Sequence, residues 1–183
     1  MTTRAVDERG RTPWAWLAPN LSLLGAMAVW GVARYPNLPD RVPQHVGPEG
    51  VDAWTDRSVG SAFLPVFVFA GLTVIFVACA AGAARVTPLD ALPEPSDAWG
   101  RAAAATRGRP ATAASARRLA RALLMANIGF GVALLPLCWL QWRGTATTDV
   151  PGWILPVTLG VFLASLTPLA LAWWRDARQR PTT

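Results

Sequence analysis

The chain has 183 residues, a net charge of +6 and 52% hydrophobic residues, but only 15% of its residues are charged. Soluble domains carry about 25% charged residues, so the composition does not fit a soluble nucleic-acid-binding protein despite the pI of 11.1. One histidine and two cysteines exclude most zinc sites and any disulfide framework, and the composition as a whole predicts a membrane protein.

Four apolar runs support this interpretation, because about 20 residues of helix are needed to cross a bilayer. They cover residues 14–33, 61–84, 119–142 and 153–174, and none contains an acidic residue. The first run is longer than the apolar part of a signal peptide and contains Pro19 and Asn20, so we expect it to be retained. The sequence predicts an all-α integral membrane protein, a single domain over residues 1–183 with four transmembrane helices.

The arginines predict the orientation of these helices. Thirteen of the 17 lie in the N-terminal tail, in the segment between the second and third runs together with Arg121 at the start of the third run, or in the C-terminal tail. These regions sum to +7, whereas the other two loops sum to −1. The positive-inside rule therefore predicts a multi-pass plasma-membrane protein with both termini in the cytoplasm.

The first outer loop, residues 34–60, contains four prolines within thirteen residues, which excludes a helix there. Residues 43–46 and 51–54 then flank the sequence Gly-Pro-Glu-Gly. This pattern predicts a small hairpin with a four-residue turn. We therefore expect an ordered Pro-rich loop between helices one and two that caps the outer face of the bundle.

The loop also carries a motif, Tyr-Pro-x-Leu-Pro-Asp-Arg-Val-Pro-x-His, followed by a glycine-bearing turn and Asp-x-Trp. Over roughly residues 20–75 it resembles the domain of unknown function 1648, found in bacterial membrane proteins and in SdpI-type immunity proteins. The chain departs from that pattern at Val46, where the family often has an aromatic residue, and lacks the additional helices of SdpI. The resemblance implies a multi-pass membrane protein with an external Pro-His loop. The residues expected to shape this loop are Tyr35, Pro36, Leu38, Pro39, Pro43 and Gly50.

His45, the only histidine, lies in this loop among several carboxylates. A hairpin would bring it close to Asp52 or Trp54. One hypothesis is a binding site for a cation or a cationic peptide, and its candidate residues are His45, Asp40, Asp52, Trp54 and Arg57. The alternative is structural: His45 and Asp52 hold the loop by a hydrogen bond, while the prolines and Trp54 pack on the helix ends.

Residues 86–115 between the second and third helices are rich in alanine and arginine and poor in large apolar residues. This composition predicts a flexible cytoplasmic linker. Its arginines and those that follow are candidates for contact with anionic lipids, since basic side chains are attracted to an anionic leaflet. These residues are Arg101, Arg107, Arg109, Arg117 and Arg118.

The sequence contains no catalytic motif, so we predict a protein that is not an enzyme and has no cofactor, metal or nucleic-acid partner. The first functional hypothesis is a membrane protein that recognises a peptide, an envelope component or an ion through its outer loop, in a sensory or immunity role. The second is a small transporter or channel-like bundle with the loop as a lid. An open polar cavity reaching Asn20, Asn127 or Thr158 would favour the second.

Overall fold

The computed structural model describes residues 13–47, 50–92, 99–100, 108–144 and 147–180. Short 3-10 turns at Trp14–Trp16, Tyr35–Asn37 and Leu89–Ala91 adjoin the longer elements. The described elements are α1 (Leu17–Arg34), β1 (Arg41–Gly47), β2 (Gly50–Asp56), α2 (Val59–Ala62), α3 (Leu64–Arg85), α4 (Ala113–Gln141), α5 (Ile154–Ser165) and α6 (Thr167–Ala177).

Within the described residues, four helical stretches are long and apolar enough to cross a membrane. They are Trp14–Asn37, Leu64–Ala91, Ala113–Gln141 and Ile154–Ala177. Large apolar side chains such as Val29 and Val74 lie exposed on their outer faces, where contact with lipid carries no hydrophobic cost. The structure thus confirms the mostly helical fold and indicates a multi-pass membrane protein.

The prediction of an all-α fold needs one correction, because β1 and β2 form a two-stranded antiparallel sheet. These strands confirm the hairpin expected in the first outer loop. Each has seven residues instead of the four expected, so the pairing extends outward to Arg41 and Asp56. The turn residues Pro48 and Glu49 lie outside the described part of the chain.

The third long helix begins at Ala113, six residues before the start expected from hydropathy. Thr112 explains this start, because its Oγ1 accepts a hydrogen bond from the Ser115 N–H at 3.1 Å, as an N-cap residue does. The alanines that follow are strong helix formers. The last part of the expected linker is therefore helical, and Arg121 lies inside the third helix.

The other described parts of the linker are held by backbone hydrogen bonds. Leu89 N–H donates to the Pro110 carbonyl at 3.0 Å, and Asp90 N–H donates to the Ala111 carbonyl at 3.2 Å. Residues 93–98 and 101–107 of the expected linker lie outside the described residues.

The fourth apolar run forms two helices, α5 and α6, which meet at Leu166. Pro168 lies just beyond this point and lacks the N–H that would continue the hydrogen-bond ladder. The Ser165 hydroxyl donates to the Phe162 carbonyl at 2.6 Å, next to the break. By contrast, α4 continues through Pro136.

Contacts divide the chain into two compact units. The hairpin unit comprises Ala18–Val74 and Asn127–Leu166, and the arginine unit comprises Met1–Leu17, Ile75–Ala126 and Thr167–Thr183. The core of the hairpin unit contains Met27, Leu38, Val42, Ala62, Val66, Phe69, Cys138 and Trp142. The core of the arginine unit is built from smaller side chains, Ala80, Ala84 and Ala120 with Leu124.

The two units differ in charge. The arginine unit holds thirteen arginines and six acidic residues, a net charge of +7. The hairpin unit holds four arginines and five acidic residues, a net charge of −1. The two units defined by contacts therefore have the same net charges as the two sets of segments that hydropathy defines in the sequence.

Candidate functional site

The candidate site lies on the hairpin, whose register is irregular. The Cα partners are Arg41–Asp56, Val42–Thr55, Pro43–Trp54, His45–Ala53, Val46–Val51 and Gly47–Gly50. Gln44 and Asp52 fall outside these pairs, so each strand carries an extra residue. Such irregularities redirect side chains. As a result Gln44 and His45 are both exposed, where strict alternation would bury one of them.

The irregular register brings His45 and Asp52 together. The ring Nδ1 of His45 lies 2.6 Å from Asp52 Oδ1, a short hydrogen bond between an imidazole and a carboxylate. Both side chains remain open to solvent, 67% exposed for His45 and 56% for Asp52. Exposed ion pairs contribute about 0–1 kcal/mol to stability, so this contact has a small effect on the folding of the hairpin.

Arg57, directly after β2, forms hydrogen bonds with the residues that precede β1. Its Nη1 donates to the Leu38 carbonyl at 2.6 Å, and its backbone N–H donates to the Asp40 carbonyl at 2.7 Å. The guanidinium also lies over the ring of Tyr35, 5.9 Å from the centroid. These contacts join the residues before β1 to the residue after β2.

Buried apolar side chains hold the hairpin against the helix ends of the hairpin unit. Leu38 and Val42 belong to the same core cluster as Trp142, which follows α4 directly and is 1% exposed. The indole Nε1–H of Trp142 donates to the Ala62 carbonyl at 2.8 Å. The Trp142 carbonyl in turn accepts a hydrogen bond from Arg34 Nε at 3.0 Å.

The loop before α5 adds a backbone contact to the edge of β2. Val51 N–H donates to the Thr148 carbonyl at 3.0 Å. Gly50 has a φ of +123°, which L-residues rarely adopt, and a Cβ there would collide with the same Thr148 carbonyl. The sequence therefore needs glycine at position 50, as the motif predicted.

Acidic side chains dominate the exposed charge of the hairpin. Asp40 and Asp56 are 99% and 92% exposed, and their ion pairs with Arg57 and Arg41 are long, at 3.6 and 3.7 Å. Two further arginines of this unit direct their guanidinium groups to main-chain carbonyls: Arg34 to Trp142, and Arg143 to Thr147 and Asp149. The hairpin therefore presents more accessible negative than positive charge.

The predicted site residues thus form two separate groups. His45 and Asp52 make one, and Arg57 with Asp40 makes the other, while Trp54 is half-buried opposite Pro43. Among the residues expected to shape the loop, Leu38, Pro43 and Gly50 are buried, Tyr35 and Pro39 are half-buried, and Pro36 is exposed. Within the described ranges, no three His, Cys, Asp or Glu side chains are arranged to hold a metal ion.

Sequence reasoning missed two features of the site. Trp142 lies in the core, although a tryptophan at the end of an apolar run is typical of the headgroup level, and no local pattern distinguishes it. Ser58 and Ser61 form a reciprocal capping box at the start of α2, with backbone-to-side-chain distances of 2.9 and 3.1 Å. The Ser-x-x-Ser spacing before an apolar run was a usable signal for this cap.

A second polar cluster lies inside the hairpin unit. Asn127 Nδ2 donates to Asn20 Oδ1 at 2.7 Å and to Thr73 Oγ1 at 2.9 Å, which links α4 to α1 and α3. All three side chains are buried. Asn127 Oδ1 and the Thr158 hydroxyl are also buried, and neither has a hydrogen-bond partner among the described residues. Buried amides of this kind stabilise helix packing in membranes.

One segment of the chain is similar to a known protein family. Residues 22–69 match the family model described as Domain of unknown function (DUF1648). This segment contains most of α1, the whole hairpin and the start of α3, so the match confirms the resemblance based on the loop motif. No curated protein and no solved structure matches the chain.

Proposed function

We propose that this chain is a non-enzymatic bacterial plasma-membrane protein that recognises a positively charged peptide outside the cell through its hairpin. The observation that carries the proposal is the exposed His45–Asp52 pair, since buried Leu38 and Val42 and the contacts of Arg57 also hold the hairpin. The exposed carboxylates of Asp40 and Asp56 add negative charge beside the pair. Such a protein would act as a sensor or in immunity, as the SdpI-type proteins do.

The charge of the two units supports an orientation with the hairpin outside. The arginine unit, at +7, includes both chain termini, and basic segments flanking transmembrane helices stay in the cytoplasm. The hairpin unit, at −1, then faces the exterior, where a cationic peptide can reach it. Electrostatic complementarity of this kind accelerates association and excludes anionic ligands.

The transporter hypothesis has less support. A polar path through the membrane requires polar side chains that line an open cavity. Asn20 and Asn127 are instead fully buried and hydrogen-bonded, with Thr73 joined to Asn127 and to the Phe69 carbonyl at 2.8 Å. These contacts favour a packing role for the cluster.

The proposal predicts that Asp52→Asn weakens the binding of a cationic peptide without unfolding the hairpin. The full chain would be placed in nanodiscs of neutral lipid, and binding of a fluorescent hexalysine peptide would be followed by anisotropy. Loss of one exposed charge is expected to lower the affinity about fivefold. His45→Ala, which removes the hydrogen-bond partner of Asp52 but none of the negative charge, should leave the affinity unchanged or raise it.

Asp149→Asn is the matched control, because Asp149 is an exposed aspartate of the same unit that lies off the hairpin. It should leave hexalysine binding close to that of the wild type. If Asp52→Asn binds hexalysine like the wild type but melts at a distinctly lower temperature, the pair is structural and the recognition proposal is wrong.

A further inference from the structure

The last helix, α6, has one face that binds the rest of the arginine unit. Asp176 Oδ1 accepts a hydrogen bond from the Ala111 N–H at 2.8 Å, and Asp176 Oδ2 accepts one from Arg180 at 3.1 Å. Just past the end of α6, Gln179 Oε1 accepts hydrogen bonds from Ser115 Oγ at 2.9 Å and from Arg118 at 2.7 Å. These contacts fix the rotation of α6 about its own axis.

The opposite face of α6 carries a stacked cation and aromatic ring. Two residues along a helix correspond to a rotation of about 200°, so Trp174 and Arg178 lie opposite Asp176. The Arg178 guanidinium lies over the Trp174 ring, 3.6 Å from its centroid, and Trp174 is 45% exposed. Stacking uses the face of the guanidinium and leaves the N–H groups on its edge available to oxygen acceptors. This is the geometry in which arginine binds phosphate. Arg175, one turn before Arg178, is exposed as well.

The arginines expected to contact anionic lipid make interactions within the chain where the structure describes them. Arg109 donates to the Thr87 carbonyl at 3.1 Å, and Arg118 donates to Ser115 and Gln179. Arg117 also has an interaction within the chain. Arg101 and Arg107 lie outside the described residues. Among the described arginines of this unit, Arg85, Arg121, Arg175 and Arg178 are exposed, and the last two lie beside the exposed Trp173 and Trp174.

We propose that Arg175 and Arg178, with Trp174, bind the headgroup phosphate of an anionic phospholipid. Tryptophans at the end of a membrane helix lie at headgroup level, and Trp173, beside this pair, is 70% exposed. The exposed Leu171 offers an apolar surface for an acyl chain one turn deeper. The +7 charge of the unit attracts any anion, and this apolar surface favours a phospholipid over a free phosphate ion.

The test compares lipid retention by the full chain and by Arg175→Gln/Arg178→Gln. Each protein is reconstituted in nanodiscs of mixed phosphatidylcholine and phosphatidylglycerol, then released, and its bound lipids are counted by native mass spectrometry. The wild type should retain phosphatidylglycerol preferentially. Each arginine near an anionic leaflet contributes about fivefold in affinity, so the double variant should lose about 25-fold of this preference.

Arg41→Gln is the control, since it removes an exposed arginine from the hairpin unit, and it should retain phosphatidylglycerol like the wild type. Trp174→Leu keeps both charges but removes the stacking, and it should lower the preference for phosphatidylglycerol. It is a second test that does not depend on whether the double variant folds. The proposal is overturned if both α6 variants retain wild-type preference, or if Arg41→Gln lowers it equally. Displacement of bound phosphatidylglycerol by excess inorganic phosphate would also overturn it.

Discussion

Replacing Gly129 by leucine is expected to lower the apparent Tm of the protein by about 5–10 °C, because α4 and α5 touch at this residue. A Cβ at position 129 would collide with the Ser165 side chain and lie 3.1 Å from the Ser165 Cα. The neighbouring Phe130 and Phe162 rings, 4.9 Å apart, show how closely the two helices pack there. Thermal unfolding in detergent, followed by near-UV circular dichroism, measures the effect.

Gly160 provides the control for this prediction, since it lies in α5 and a Cβ added there would meet nothing within 4 Å. Gly160→Leu should therefore melt within a degree or two of the wild type, an order-of-magnitude expectation for a surface substitution. Leucine forms helix better than glycine, so equal losses of Tm in the two variants could not come from helix propensity. They would show that the α4–α5 contact does not determine the result at position 129.

Trp142→Ala should destabilise the hairpin unit by about 3–5 kcal/mol, the usual range for removing a buried aromatic side chain. The indole contacts Trp30, with ring centroids 5.1 Å apart, and donates to the Ala62 carbonyl. Its removal leaves a cavity between α1, α2 and the hairpin and an unpaired carbonyl. Denaturant unfolding of the purified protein measures the loss.

Two further variants separate the contributions of packing and hydrogen bonding. Trp142→Phe keeps most of the ring but removes the donor to Ala62, so it should lose about 1 kcal/mol more than packing alone would predict. Trp139→Ala removes a partly exposed indole whose ring lies 5.8 Å from that of Trp153, and it should cost less. If Trp139→Ala is as destabilising as Trp142→Ala, Trp142 does not have the central packing role described.

The sequence was sufficient to predict the features that depend on neighbouring residues. Continuous apolar runs predicted the four long apolar helical stretches, and the spacing of prolines and glycines predicted the hairpin. The proximity of His45 and Asp52 followed from that hairpin, since only seven residues separate them.

Other features depend on contacts between distant parts of the chain. Arg57 is a candidate ligand-binding residue by sequence, and its hydrogen bond to the Leu38 carbonyl, 19 residues earlier, was not predicted. Trp142 contacts Ala62 across 80 residues, and Asp176 contacts Ala111 across 65. No local pattern encodes such pairs, because an arginine or tryptophan at a helix end has the same sequence environment whether it faces solvent, lipid or the core.

The side of the membrane that the hairpin faces determines whether it can meet a peptide outside the cell. The most direct measurement is the labelling of single cysteines in intact bacterial cells with a membrane-impermeant maleimide, in a background with Cys79→Ala and Cys138→Ala. Asp56→Cys on the hairpin should react in intact cells, whereas Thr182→Cys in the C-terminal tail should react only after permeabilisation. Labelling of Asp56→Cys only after permeabilisation would contradict the external hairpin and the recognition proposal built on it.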